Sequence, residues 1–111
     1  MIRRFAVSAT AALWLGVAGF PVTPWAADHV VTIRDSMFTP EVLHIKVGDT
    51  VRWENHEKRT SHSVLFKEPT SYESERMFPG EHYSQRFDKP GRVVYSCGPH
   101  PEMRGIIDIS E

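Results

Sequence analysis

The sequence predicts an all-β protein, a Greek-key antiparallel β-sandwich of seven to eight strands that follows a removable N-terminal leader. Short apolar or alternating segments recur along the chain, separated by Gly, Pro, Asn and Asp, which is typical of strands joined by turns. No segment of useful length has apolar residues at helical spacing. Short strands with turn signals at this spacing favour two packed antiparallel sheets.

The first 26 residues have the layout of a secretory signal peptide. Arg3 and Arg4 precede an uncharged, mostly apolar run over residues 5–20, and small and turn-forming residues follow. This run of 16 residues is shorter than the roughly 20 that span a bilayer, which argues against a membrane anchor. We therefore predict cleavage after Ala26 or Ala27, export to a bacterial periplasm without stable membrane insertion, and a mature domain over residues 27–111.

The composition of the mature chain limits its function. Its 85 residues suffice for one small core, and we expect a monomer. Without Arg3 and Arg4 the chain has 11 basic and 14 acidic residues, so it lacks the basic balance of nucleic-acid-binding proteins. Cys97 is the only cysteine. In an oxidising compartment a free thiol is a liability unless it is buried, paired with another chain or bound to a metal.

The strands follow from the alternation of apolar and polar residues. In residues 41–47 the alternation turns Leu43, Ile45 and Val47 inward and His44 and Lys46 to solvent. In residues 50–55 it turns Val51 and Trp53 inward. The unpatterned segment 67–79 is predicted to be a long crossover or loop, and a Greek key requires one such connection. A helical turn within this segment is one alternative. The predicted strands are residues 29–34, 41–47, 50–55, 62–66, 82–87, 92–97 and 104–110.

The segment YSCGPHPEMRG contains Cys97, His100 and Met103 at spacings of three. Copper electron-transfer sites combine two imidazoles and a thiolate in a plane with a distant thioether. The three side chains can surround one point only if this loop is tightly folded. Pro99 and Pro101 favour such a loop, because each proline restricts its backbone angle φ. Structural zinc sites take four Cys or His ligands, and Cys–His catalysis needs an open cleft and no Met, so copper is the favoured interpretation.

The remaining ligand must be a histidine from another segment. His62 is the best candidate, because it begins an apolar strand directly after a polar loop. His56 lies in a charged loop and is a weaker alternative. The other candidates are predicted to be surface or edge residues: His29, His44 and His82.

These segments together resemble the cupredoxins. The resemblance covers essentially the whole mature chain and is carried by VTIRDSMFTPEVLHIKVGDTVRWEN, SHSVLF and DKPGRVVYSCGPHPEMRGIIDI. The loop pattern C-x-P-H-P-x-M-K/R-G is most similar to that of amicyanins, with pseudoazurins and plastocyanins as relatives. The resemblance implies a one-electron carrier, not an enzyme, with one type 1 copper ion and four ligands: His62, Cys97, His100 and Met103.

The resemblance also implies how the thiolate is surrounded. Ser63 is expected to donate its backbone N–H to the sulfur of Cys97, whereas Pro99 has no N–H to donate. Many relatives carry Asn at the position of Ser63, and its side chain ties the two ligand loops together. Because Ser is shorter, we expect a weaker tie in this chain.

Partner proteins are expected to dock near His100, the exposed ligand. The expected partners are periplasmic redox proteins, namely a dehydrogenase or reductase and a c-type cytochrome. Glu102 stands where short-loop relatives often carry an apolar residue. Its charge leaves open whether methylamine dehydrogenase is one of the partners.

Three alternatives stay open from the sequence. Two are different functions: copper delivery or storage in the periplasm, and a metal-free binding module, which would work without Cys97. The third is an additional metal site, because cleavage after Ala26 would expose an Ala-Asp-His N-terminus. An amine, two amides and an imidazole form a square-planar set that suits Cu(II) or Ni(II).

Overall fold

The structure, a computed structural model, describes residues 26–111 as nine strands in two sheets. Apart from Ala26, the predicted leader lies outside these residues. Within them no helix has the length and apolarity needed to cross a membrane. The strands are β1 (Asp28–Arg34), β2 (Met37–Thr39), β3 (Val42–Lys46), β4 (Thr50–Asn55), β5 (Leu65–Phe66), β6 (Tyr72–Glu73), β7 (His82–Arg86), β8 (Gly91–Ser96) and β9 (Arg104–Ser110).

The predicted β-sandwich is confirmed. One sheet has the order β2-β1-β4-β7, and the other has the order β3-β9-β8-β5-β6. Most neighbours are antiparallel, but β1 pairs with β4 and β3 pairs with β9 in parallel. The chain leaves the first sheet to form β3 and then returns to it as β4, so β4 runs in the direction of β1. Alternation predicts which face of a strand is buried, but it does not predict this choice of partner.

Two short strands account for the difference from the predicted number. A turn at Asp35 and Ser36, with φ of 54° and 55°, reverses the chain into β2. The crossover at residues 67–79 contains β6 and no helical turn. The predicted strand at residues 62–66 is shorter than expected, because His62 pairs only with Met77 as an isolated bridge.

The core continues from the centre of the sandwich to the predicted ligand loop. Trp53 is fully buried, stacked on Tyr83 at a ring-centroid distance of 5.8 Å and edge-on to Tyr95 at 5.3 Å. Cys97 and Met103 belong to the same buried cluster. The residues that carry the expected chemistry are therefore held by the packing that stabilises the fold.

The alternation predicts the buried faces of the two central segments correctly, except at the end of the first. The inward prediction for Val47 is wrong, because it follows the last residue of β3 and is 38% exposed, and Leu43 is only partly buried. Ile45, Val51 and Trp53 are buried, while His44 is exposed and lies 3.7 Å from a carboxylate oxygen of Asp108. Each outward position alternates with an inward one along its strand, as the pleat requires.

Gly105 on β9 faces Tyr95 on β8 across the ladder. A Cβ atom on Gly105 would lie 2.2 Å from Cζ of the tyrosine, because the ring covers this position. Only glycine leaves room for the ring, which closes the core next to the ligand loop.

Asp49 links the start of the domain to the turn before β4. Its Oδ1 accepts the Ala27 N–H at 2.9 Å, and its Oδ2 accepts the Lys46 N–H at 3.0 Å and lies 2.9 Å from His29 Nε2. The Ala27 N–H, the Lys46 N–H and the His29 ring lower the pKa of Asp49 from 3.8 to about 2.

Replacing Asp49 by asparagine should reduce stability at neutral pH and flatten its fall in acid. Because its pKa is lower in the folded state, ionised Asp49 stabilises the fold above pH 3.8, and this contribution is lost as the pH falls towards 2. Thermal unfolding between neutral pH and pH 2 measures the effect. Asp88→Asn is the control, since its exposed pair with Arg86 should contribute little. Identical pH profiles for D49N and wild type would contradict the prediction.

Candidate metal centre

Three of the predicted ligands come together at one end of the sandwich. The Nδ1 atoms of His62 and His100 lie 3.5 Å and 3.7 Å from Cys97 Sγ. The donor atoms all lie within 4.8 Å of one another, and the two imidazole rings are tilted by 53°. Among residues 26–111 this is the one such cluster of His, Cys, Asp and Glu side chains.

The other histidines are placed away from this cluster. His56, the weaker sequence candidate, is exposed and interacts with Glu54 at 3.1 Å and Arg34 at 3.3 Å. His44 is also exposed, and His29 is bound to Asp49. His62 is therefore the one histidine outside the ligand loop that the structure brings to the cysteine.

The segment from residue 97 to residue 103 closes on itself. The Met103 N–H donates to the His100 carbonyl at 2.9 Å, and the Cys97 N–H donates to the Met103 carbonyl at 3.2 Å. Cys97 and Met103 are buried, whereas His100 is partly exposed between the exposed Pro99 and Pro101. The loop thus returns the methionine beside the cysteine and leaves one edge of the His100 ring near solvent.

These residues fit a type 1 copper ion. Two imidazoles and a thiol face a common point, and a buried methionine lies on the same closed loop. Burial raises the pKa of the Cys97 thiol, an effect that the Ser63 N–H partly opposes. A thiol in this position is stable as a thiolate when a cation compensates its charge, which is what a bound metal provides.

Glu57 orients the ring of His62 through the ring nitrogen that does not face Cys97. Its Nε2 lies 2.9 Å from Glu57 Oε2, and since a carboxylate only accepts, the ring carries its proton on Nε2. Nδ1 is therefore free as a metal ligand and faces Cys97. Burial acts to raise the pKa of Glu57, but the N–H of Ser36 and the ring of His62 hold it below its ordinary value.

The backbone of His62 is fixed as well. Its N–H donates to the Met77 carbonyl at 3.0 Å and its carbonyl accepts the Met77 N–H at 2.8 Å. The buried side chain of Asn55 donates from Nδ2 to the carbonyls of Thr60 and Met77, both at 2.9 Å, and accepts the Glu57 N–H at 2.9 Å. The side chain of Asn55 thus connects the loop before His62 to Met77, the residue that pairs with His62.

Sequence reasoning missed three of these supporting residues: Asn55, Glu57 and Met77. Glu57 lies five residues before His62, so a search for carboxylates near each candidate histidine would have found it. Asn55 ends a strand, and Met77 lies in an unpatterned segment. Nothing in the sequence pattern links either of them to His62.

Ser63 connects the two ligand-bearing segments. Its N–H points to Cys97 Sγ at 3.4 Å. Its side chain does tie the two loops, because Ser63 Oγ accepts the Gly98 N–H at 3.0 Å and donates to Glu73 Oε2 at 2.6 Å. That this tie is weaker than the one an Asn makes stays a prediction. The shorter side chain makes the tie because a carboxylate from another strand completes its hydrogen bonding.

Known proteins match this chain over most of its length. The sequence profile of a family described as copper binding proteins, plastocyanin/azurin family, matches residues 27–110. Amicyanin-alpha of Methylorubrum extorquens is 37% identical over 107 residues, covering 92% of this chain and 88% of that protein. Amicyanin of Paracoccus denitrificans is 44% identical over 95 residues, covering 77% and 72%. A solved reduced Cu(I) form of an amicyanin variant superposes with a TM-score of 0.71 at 33% identity, covering 80% of this chain and 86% of that chain.

Proposed function

This chain belongs to the plastocyanin/azurin family of copper-binding proteins, and on that premise we propose that its copper ion is held by four side chains: His62, Cys97, His100 and Met103. The protein is an electron carrier and not an enzyme. The observation that carries the ligand assignment is the convergence of two imidazole nitrogens on one thiol at 3.5 Å and 3.7 Å. When bound, copper supplies a one-electron Cu(I)/Cu(II) couple.

The side chains around the site serve to keep the donor atoms in place. Glu57 and the bridge to Met77 hold the His62 ring. The two hydrogen bonds that close residues 97–103 hold the other three proposed ligands. Because these supports belong to the protein, they persist when the charge at the site changes, so little reorganisation accompanies electron transfer. The partly exposed His100 gives a partner access to the site.

Copper loading of the purified protein tests the function. The loaded protein should show an intense visible absorption that a mild reductant such as ascorbate bleaches and an oxidant restores. A carrier should keep its metal through these cycles when a Cu(I) chelator is present. A colourless Cu(I) form that transfers its metal readily to the chelator would contradict the proposal and favour copper delivery or storage.

We propose that residues 1–26 are removed as a secretory signal and that residues 27–111 work in the periplasm. In support, β1 begins at Asp28, and the Ala27 N–H is already bonded to Asp49. The mass of the exported protein should match a chain that begins at Ala27. Retention of the leader would contradict the proposal.

The additional metal site at an Ala-Asp-His N-terminus stays a prediction. In the structure, the Ala27 nitrogen and the His29 ring both bind the carboxylate of Asp49, at 2.9 Å each. A square-planar site would have to break both interactions. Binding of Cu(II) at this site should therefore be stronger in D49N than in wild type.

The surface around His100 is the proposed docking site for redox partners. Pro99 and Pro101 are exposed beside it. Phe78 is 56% exposed and follows Met77, whose backbone hydrogen-bonds His62. Met37 is 57% exposed and follows Ser36, whose N–H hydrogen-bonds Glu57. Exposed apolar groups of this kind are typical of a transient interface, whose rim is polar.

Glu102, exposed on the same loop, should influence which partner docks there. A charge on the rim of an interface acts mainly on the association rate. Glu102→Lys should slow electron transfer to a basic c-type cytochrome by about tenfold at low salt, and high salt should remove the difference. Asp88→Lys, in the turn between β7 and β8 at the other end of β8 from Cys97, is the control. Equal effects of both substitutions would argue against docking near His100.

A further inference from the structure

Glu73 lies on β6, in the crossover that the sequence pattern left undefined. Its Oε2 accepts the Ser63 hydroxyl at 2.6 Å, and this hydroxyl accepts the Gly98 N–H at 3.0 Å. The Ser63 N–H in turn points to Cys97 Sγ at 3.4 Å. A continuous set of hydrogen bonds therefore leads from a carboxylate on a surface strand to the thiol of the candidate metal site.

The residue after Cys97 has to be small for this arrangement to exist. A Cβ atom on Gly98 would lie 2.0 Å from Glu73 Oε2 and 2.8 Å from Ser63 Oγ. Any side chain at this position would push the carboxylate away. The glycine thus provides the space in which Glu73 approaches the ligand loop.

The strand that carries Glu73 is itself anchored next to His62 and Ser63. Leu65 on β5 pairs with Glu73. The following residue, the buried Ser74, donates its N–H to the Val64 carbonyl at 2.9 Å, and its Oγ accepts the Val64 N–H at 2.9 Å. These bonds fix the backbone that carries Glu73, so the fold places this side chain within reach of Ser63.

We propose that Glu73 is a positioning residue that lowers the reduction potential of the copper site through Ser63. The negative charge of Glu73, one hydrogen-bonded residue away from the thiol, favours the more highly charged oxidised state of the copper, and because Glu73 is exposed, solvent reduces this interaction without removing it. The charge-assisted bond also orients the Ser63 hydroxyl, so that its free lone pairs receive the Gly98 N–H. The proposal rests on the ligand assignment given above.

The charge and the hydrogen bond can be separated by substitution. Glu73→Gln keeps an acceptor for Ser63 and removes the charge, so the visible spectrum should persist while the potential shifts upward. Glu73→Ala and Ser63→Ala remove the bond, so copper should pass faster to a chelator. Glu75→Gln, at an exposed position two residues away, is the matched charge control. Its upward shift should be less than about half that of E73Q, since both residues are exposed but only Glu73 hydrogen-bonds Ser63, and Coulomb interactions weaken with distance.

Two results would count against the proposal, and they are distinguishable. If E73Q and E75Q shift the potential equally in a folded, coloured protein, Glu73 has no special role and the proposal is overturned. If copper-loaded wild type has no blue absorption, the ligand assignment fails instead, and this proposal fails with it. Thermal unfolding of the metal-free variants should show that E73Q is folded as stably as E75Q.

Discussion

Replacing Cys97 by serine should abolish the visible absorption and the electron-carrier activity while leaving the β-sandwich folded. Serine has nearly the same size, so the buried site keeps its packing. A hydroxyl is not deprotonated at neutral pH and is a poor donor for Cu(I), which prefers soft thiolate and thioether ligands. We expect copper affinity to fall by more than about 100-fold, beyond the usual effect of losing a residue that only supports a ligand.

The matched control for this substitution is His56→Ala, which removes the histidine that the sequence offered as an alternative ligand. Its ring is exposed and interacts with Glu54 and Arg34, so colour and potential should barely change. Absorption spectra of the copper-loaded variants, with thermal unfolding to establish that each is folded, make the comparison. A blue C97S variant, or a colourless H56A variant, would show that the ligand assignment is wrong.

The sequence predicted the parts of this molecule that depend on local patterns. Trp53 and Val51 are buried because alternation along a strand has a period of two, and both lie on the same side. Cys97, His100 and Met103 could be grouped because one short loop contains all three. His62 differs from the other histidines in lying at the boundary between a polar loop and an apolar strand, and the structure brings it to Cys97.

The sequence could not predict contacts that depend on how distant segments meet. Ser63 and Glu73 are ten residues apart and Ser63 and Gly98 are 35 apart, yet they form one hydrogen-bonded group. The parallel pairing of β1 with β4 likewise arises only when the chain returns from the other sheet. Polar side chains in an unpatterned segment carry no periodicity, so the supporting role of Glu73 is invisible until the crossover is placed.

Replacing Asn55 by alanine should destabilise both the fold and the metal site. The side chain is 1% exposed and makes three hydrogen bonds to the backbone, at Thr60, Met77 and Glu57. Alanine leaves the Thr60 carbonyl and the Glu57 N–H, both partly buried, without this partner, at about 1–3 kcal/mol for each group that stays unsatisfied. The Met77 carbonyl keeps a partner, because it still accepts the His62 N–H, so only two groups lose theirs. We therefore expect the free energy of unfolding of the metal-free protein to fall by about 3 kcal/mol.

The same substitution should accelerate copper loss, because Asn55 holds the backbone of Glu57 and of Met77. Glu57 orients the ring of His62, and Met77 pairs with the backbone of His62. Gln85→Ala is the control: it also removes an amide, but one that is only half-buried and accepts a single bond from Tyr83. Q85A should cost under about 1 kcal/mol and leave copper release unchanged. Denaturant unfolding and transfer of copper to a chelator measure the two effects. If N55A resembles Q85A in both, the strands alone position His62, and the hydrogen bonds of Asn55 are dispensable for the site.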